Sequence, residues 1–192
     1  AYASIFQIQS NLATKSCPVS VATTNKKPVI NAGANWTIPM GTAYILTGTG
    51  SDPDGDTLTY TWEENDDATT VGAAASYPSG TKTNGPNFRS LNPSAAPVRY
   101  MPAFSTVLGG STSSTWEAVS TVARTQNFVL TGRDNVAANG QTNTDLMLLT
   151  TSGSAGPFVL TSQNTSGISW TQGGSEVITW NVNNTATLAG SA

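Results

Sequence analysis

Thr57-Leu58-Thr59-Tyr60-Thr61-Trp62 alternates strictly between hydroxyl and apolar side chains. Successive side chains of a β-strand point to opposite faces, so Leu58, Tyr60 and Trp62 share one face and the threonines the other. The segment reads as a half-buried strand with an aromatic core face. The same period recurs outward from it. Trp36-Thr37-Ile38-Pro39 is a short edge-like strand, because Pro39 has no N–H to donate to a ladder. Ala43–Gly48, Val98–Met101, Asn127–Thr131 and Asp145–Thr150 also read as strands, with weaker candidates at Asn87–Leu91 and Glu117–Val122. Residues 66–96 and 103–115 are rich in Gly, Ser, Asn and Pro and read as long loops. This spacing predicts an all-β fold, an Ig-like Greek-key β-sandwich over residues 28–153.

The flanks differ. Ser4 with Gln7 three residues on has the form of a capping box, and Ile5, Ile8 and Leu12 fall on one helical face. Residues 1–18 therefore read as a short helix ended by Cys17-Pro18, docked on the sandwich or left over from an upstream domain; residues 19–27 read as a linker. Beyond a Gly/Ser-rich boundary, Pro157–Thr161, Ile168–Thr171 and Glu176–Val182 read as strands. So short a stretch rarely buries enough surface to fold alone. Residues 154–192 are expected to open a second, truncated β-module; completing the first sandwich is the alternative.

Composition removes several functions. The 192 residues include no His and one Cys, are 10% charged and carry a net charge of −3. Without His there is no Ser–His or Cys–His pair, and no His-containing zinc site. Eight dispersed basic residues make a poor surface for nucleic acid. No apolar run is long enough for a membrane-spanning helix, and no secretory signal opens the sequence. Low charge, abundant Thr, Ser, Asn and Gly, and little Cys suit a secreted or cell-surface bacterial β-protein.

The chemistry-bearing feature is acidic. Seven of the eleven acidic residues lie between Asp52 and Asp67. In Asp52-Pro53-Asp54-Gly55-Asp56 a tight turn can fold the three carboxylates onto one hard cation, and Ca²⁺ takes about six to eight oxygens. Asp134 closes another strand and is placed to reach the same end; Asp66, Asp67 and Asp145 are weaker candidates. Asp52, Asp54, Asp56 and Glu63 match EF-hand positions, but Thr57 stands where that loop needs Gly, and a strand cannot wrap such a loop. The competing reading is structural: Asp, Pro and Gly are turn residues, and Asx side chains cap their own backbone. Arg99 and Arg133 are available to neutralise the cluster instead.

Other signals are weaker. Trp36, Trp62, Trp116, Trp170 and Trp180 offer sugar-stacking faces, but tryptophans at strand period are expected in the core; Tyr77 and Trp116, inside loops, are the ones expected at the surface. Asn35, Asn164 and Asn183 begin glycosylation patterns that chance also explains. Glu63 and Glu64 are adjacent on a strand and point apart, so they form no acid–base pair. Gly109-Gly110 lacks the context of a phosphate loop.

The order of several motifs resembles a known group. Lys27–Pro39, Leu46-Thr47-Gly48, Ser51–Asp56, Leu58–Glu63, Gly85–Ser90 and Phe128–Asn135 resemble Ig-like modules, close to polycystic-kidney-disease-type and cadherin-like repeats. Such modules follow the catalytic domain in secreted reprolysin-like zinc metallopeptidases of Bacteroidetes. Gly156–Ser162 with Val177–Val182 is similar to the start of the next β-module, and Ile5–Pro18 to the last peptidase helix. The resemblance implies Ca²⁺ at Asp52, Asp54, Asp56 and Asp134, and a cysteine partner for Cys17 in the peptidase part. The peptidase signature H-E-x-x-H has no counterpart here, so catalysis does not carry over. The expectation is a non-catalytic accessory module that spaces or anchors a metallopeptidase, with the peptidase domain or adjacent β-modules as partners. The alternatives are an adhesive or carbohydrate-binding module facing a surface glycan or protein, and a self-associating, strand-exchanging subunit of a surface filament.

Overall fold

The computed structural model describes residues 2–17, 19, 21–68 and 76–188. The chain is mostly β. Strands β1 (Val29–Asn31), β2 (Trp36–Pro39), β3 (Tyr44–Thr47), β4 (Thr49–Ser51), β5 (Thr59–Glu64), β6 (Val98–Met101), β7 (Arg124–Arg133) and β8 (Thr142–Ser152) surround one core. A four-stranded sheet has the order β2-β8-β7-β5. In it β7 runs antiparallel to both β5 and β8, whereas β2 joins β8 in parallel. Opposite lie the antiparallel pairs β1–β4 and β3–β6.

The alternating pattern explains the core. Leu58, Tyr60 and Trp62 turn inward with Phe128, Leu130, Met147 and Leu149 and meet Ile30, Leu46 and Met101 from the facing strands. Two glycines let the layers approach. A Cβ on Gly48 would run into the Leu130 side chain and lie 2.8 Å from the Asn31 carbonyl, and one on Gly132 would run into Ile30.

β5 departs from the half-buried reading, since Thr61 and Glu63 are buried too. The segment after residue 86 covers that outer face. Ser94 exchanges backbone hydrogen bonds with Tyr60 (2.8 and 2.9 Å), Ser90 donates to Glu63 at 2.8 Å, and Arg99 Nη1 donates to the Trp62 carbonyl at 2.7 Å. The edge of the sheet is thereby capped against further strand pairing. The candidates at Asn87–Leu91 and Glu117–Val122 reduce to isolated bridges, Phe88 to Glu117 and Ser113 to Ala118.

Helix α1 spans Tyr2–Ala13, so Ser4 lies within its first turn and is not the cap. The helix buries no residue, and Ile8 and Leu12 are exposed; its Tyr2 N–H donates to Glu63 Oε2 at 3.4 Å. It ends before Cys17, an exposed free thiol, while Pro18 and residues 69–75 of the long loop lie outside the described residues. A second short helix, α2 (Phe104–Leu108), occupies part of the stretch expected to be loop. The N-cap residue before it, Ala103, makes no side-chain cap, so no sequence signal marks it. In the C-terminal segment β9 (Val159–Leu160) pairs with β10 (Trp180–Asn181), and Ile168–Thr171 forms no strand. Phe158, Trp170, Val177 and Trp180 of this segment are exposed. Of the tryptophans only Trp62 is in the core; Trp36, Trp170 and Trp180 are exposed, contrary to their strand-like spacing, and the loop residue Trp116 is exposed too. The strands carrying three of them are short or absent, so periodicity there has no second layer to pack on.

Candidate functional site

The acidic turn joins β4 to β5. Asp52 accepts the Gly55 N–H on its carbonyl (3.2 Å), and Gly55 takes a left-handed φ of +87°, which reverses the chain within four residues. Asp52 Oδ1 accepts the Asp54 N–H at 2.8 Å and the Asp56 N–H at 3.3 Å. The Asx role is therefore real, and it leaves the other oxygen over: Asp52 Oδ2 is buried without a hydrogen-bond partner. One oxygen from each of Asp52, Asp54 and Asp56 falls within 4.8 Å of the others, an arrangement that could hold a metal ion. Burial and the charges of Asp52, Asp134 and Asp54 push the Asp56 carboxyl above its ordinary range.

A counter-charge stands at the rim, and it is neither arginine expected from the sequence. Lys26 Nζ lies 2.9 Å from Asp54 Oδ1, and the Lys26 N–H donates to Asp54 Oδ2 at 2.6 Å. These contacts hold the Asp54 carboxyl below its usual range. Arg99 pairs instead with Glu117 at 2.8 Å, and Arg133 donates to the Thr61 hydroxyl.

Asp134 is near enough for Asp56 to feel its charge, but its oxygens are committed. They accept the Gln141 N–H (2.9 Å), the Val136 N–H (3.2 Å) and Asn25 Nδ2 (2.7 Å), and these bonds outweigh burial and lower its pKa. Asp134 thus ties the 134–141 turn to the linker. Asp145 accepts the Ala32 N–H at 2.8 Å, Asp66 accepts from Asn127 at 2.6 Å, and Asp67 is exposed.

A second carboxylate cluster sits at the other end of β5 and was not anticipated. The Glu64 side chain is fully buried. Its Oε2 accepts the N–H groups of Asn87 (2.6 Å) and Phe88 (2.8 Å), and its Oε1 accepts from Gln126 Nε2 at 2.9 Å. Arg124 Nη2 stands 3.5 Å from Glu64 and 3.5 Å from Asp66, and donates to the Gly85 carbonyl at 2.7 Å. Desolvation pushes the Glu64 carboxyl up to about 7, against the pull of these donors, with the neighbouring Asp66 adding to the rise. Glu63, by contrast, is held by Ser90, so the two glutamates do face apart. Alternation could place Glu64 on the other face, but not foresee which distant segment closes over it.

Tyr77 and Trp116 are exposed as expected, at 48% and 47%. Their rings meet edge to face with centroids 5.8 Å apart, and the Arg89 guanidinium lies 5.3 Å from the Trp116 centroid. No protein-family model matches the chain, and neither a curated protein nor a solved structure matches it significantly. No helix among the described residues is long and apolar enough to cross a membrane.

Proposed function

We propose that this chain is a non-catalytic, Ca²⁺-stabilised Ig-like accessory module of a secreted or cell-surface bacterial protein, spacing or anchoring a metallopeptidase. The observation that carries the metal part is the Asp52–Asp56 turn, whose carboxylates converge while Asp52 Oδ2 stays buried without a partner. Oxygen donors alone, three of them carboxylates, suit a hard cation, and the remaining positions would fall to backbone carbonyls and water. Asp52, Asp54 and Asp56 are the ligands in this reading; Asp134 adds charge nearby without giving up its hydrogen bonds. Bound Ca²⁺ would displace Lys26 from Asp54 and fix the turn between the two layers. The parallel pairing of β2 with β8 and the crossing of the chain between layers support an Ig-like Greek key. The motif order supports the peptidase context.

Thermal unfolding tests the metal. EDTA is expected to lower Tm and Ca²⁺ to restore it; identical melting in both, with no heat in a calcium titration, refutes calcium binding. The coding sequence upstream of Ala1 tests the context. An H-E-x-x-H motif there supports it, and a different domain removes it.

A further inference from the structure

We propose that Tyr77, Trp116 and Arg89 form a binding site for an acidic sugar, a uronic-acid residue of a polysaccharide. It goes beyond the module's mechanical role and lies at the opposite end of β5 from the acidic turn. A hollow of about 410 Å³ is lined by Tyr77, Pro78, Phe88, Arg89, Ser90 and Trp116. An adjoining hollow of about 320 Å³ shares Arg89, Ser90 and Trp116 and continues past Asn92 and Thr106. Together they form a surface trough with aromatic walls and a rim of hydroxyls and amides, which matches the alternating C–H and O–H faces of a sugar chain.

Three features favour this ligand. The rings are exposed yet held, Trp116 by Tyr77 and by Arg89, so stacking a pyranose on them orders little that is not already ordered. Arg89 supplies the charge. Arg99 and Arg124 are paired with carboxylates, whereas the Arg89 guanidinium has no carboxylate partner among the described residues. The acids lining the trough do not compete, because Glu117 is bound by Arg99 and the Ala103 N–H, and Glu64 is closed in by Asn87, Phe88 and Gln126. An extended peptide fits less well. Strand addition needs free backbone edges, but here the Arg89 N–H donates to the Trp116 carbonyl (3.1 Å) and the Ala118 N–H to the Asn87 carbonyl (3.0 Å).

Isothermal titration of the full chain with glucuronoxylan oligosaccharides and with unsubstituted xylo-oligosaccharides tests the site, each with EDTA and with Ca²⁺. The acidic sugar is expected to bind and the neutral one to bind roughly tenfold more weakly, the loss of one charge-assisted contact. Arg89→Gln should erase that preference, and Trp116→Ala or Tyr77→Ala should weaken both sugars. All three side chains are exposed, and unchanged melting of each variant shows that the fold is kept. No binding of either sugar, equal binding of both, an undiminished preference in Arg89→Gln, or equally tight binding of oligoglutamate would each overturn the proposal. Calcium dependence is read from Tm and sugar binding from heat, so one can fail without the other.

Discussion

Raising the pH from 5 to 8 should destabilise this protein, and Glu64 should be the cause. Its carboxyl is buried, shares Arg124 with Asp66, and is pushed from 4.5 to about 7. A carboxyl whose pKa is higher in the folded state binds more protons folded than unfolded between those two values. Stability is then fully present below the unfolded pKa and is lost as pH rises through the folded one. The rise from 4.5 to about 7, at about 1.36 kcal/mol per pH unit, corresponds to roughly 3 kcal/mol over the whole titration. For a chain of this size that is roughly 6–12 °C in Tm. Urea unfolding followed by tryptophan fluorescence in EDTA, at several pH values from 5 to 8, reads the slope. Glu64→Gln resembles the protonated acid, so it should match the wild type near pH 5 and lose the decline. The raised Asp56 acts with the same sign, its contribution lost as pH rises through its own folded pKa. The lowered Asp54 and Asp134 act only at acid pH, where their contribution is lost as pH falls through their folded pKa values. Equal wild-type stability at pH 5 and 8, or an unchanged slope in Glu64→Gln, would refute the argument.

The other predictions concern the acidic turn and the core. Asp52→Asn keeps an acceptor for the Asp54 and Asp56 N–H groups but removes charge; it should fold and lose any Ca²⁺-dependent rise in Tm. Lys26→Gln separates two roles: tighter calcium binding by calorimetry means the metal replaces Lys26 at Asp54, and no change means that the lysine does not compete. Gly132→Ala drives a Cβ into Ile30 and should cost about 1–3 kcal/mol in chemical denaturation. Glu117→Ala strands the buried Arg99 and leaves the Ala103 N–H without its acceptor; a loss of about 3–5 kcal/mol is expected, and a loss under about 1 kcal/mol would show that water replaces the carboxylate.

How far the sequence could be read depended on the range of the interaction. Alternation marked β5 and the cores of β7 and β8, because side-chain direction follows the backbone period wherever one face is buried. The Asp52–Asp56 turn was equally visible, since its hydrogen bonds connect residues at most four apart. The one-turn helix α2 and the short strands β1 and β4 were missed or blurred, being too short to show a period. The tryptophan pattern misled for the same reason that it worked at Trp62: a period says which residues share a face, not whether anything covers that face.

By itself, then, the sequence determined a β-rich chain with a tight acidic turn and no histidine chemistry. Tertiary structure decided which charges meet. Lys26 reaches Asp54 across 28 residues, Asp134 turns to Asn25 across 109, and Gln126 reaches Glu64 across 62. Those pairings depend on how the layers stack and which loops close over them, and desolvation, which moves Glu64, exists only once the chain has packed. Local spacing carries no information about either.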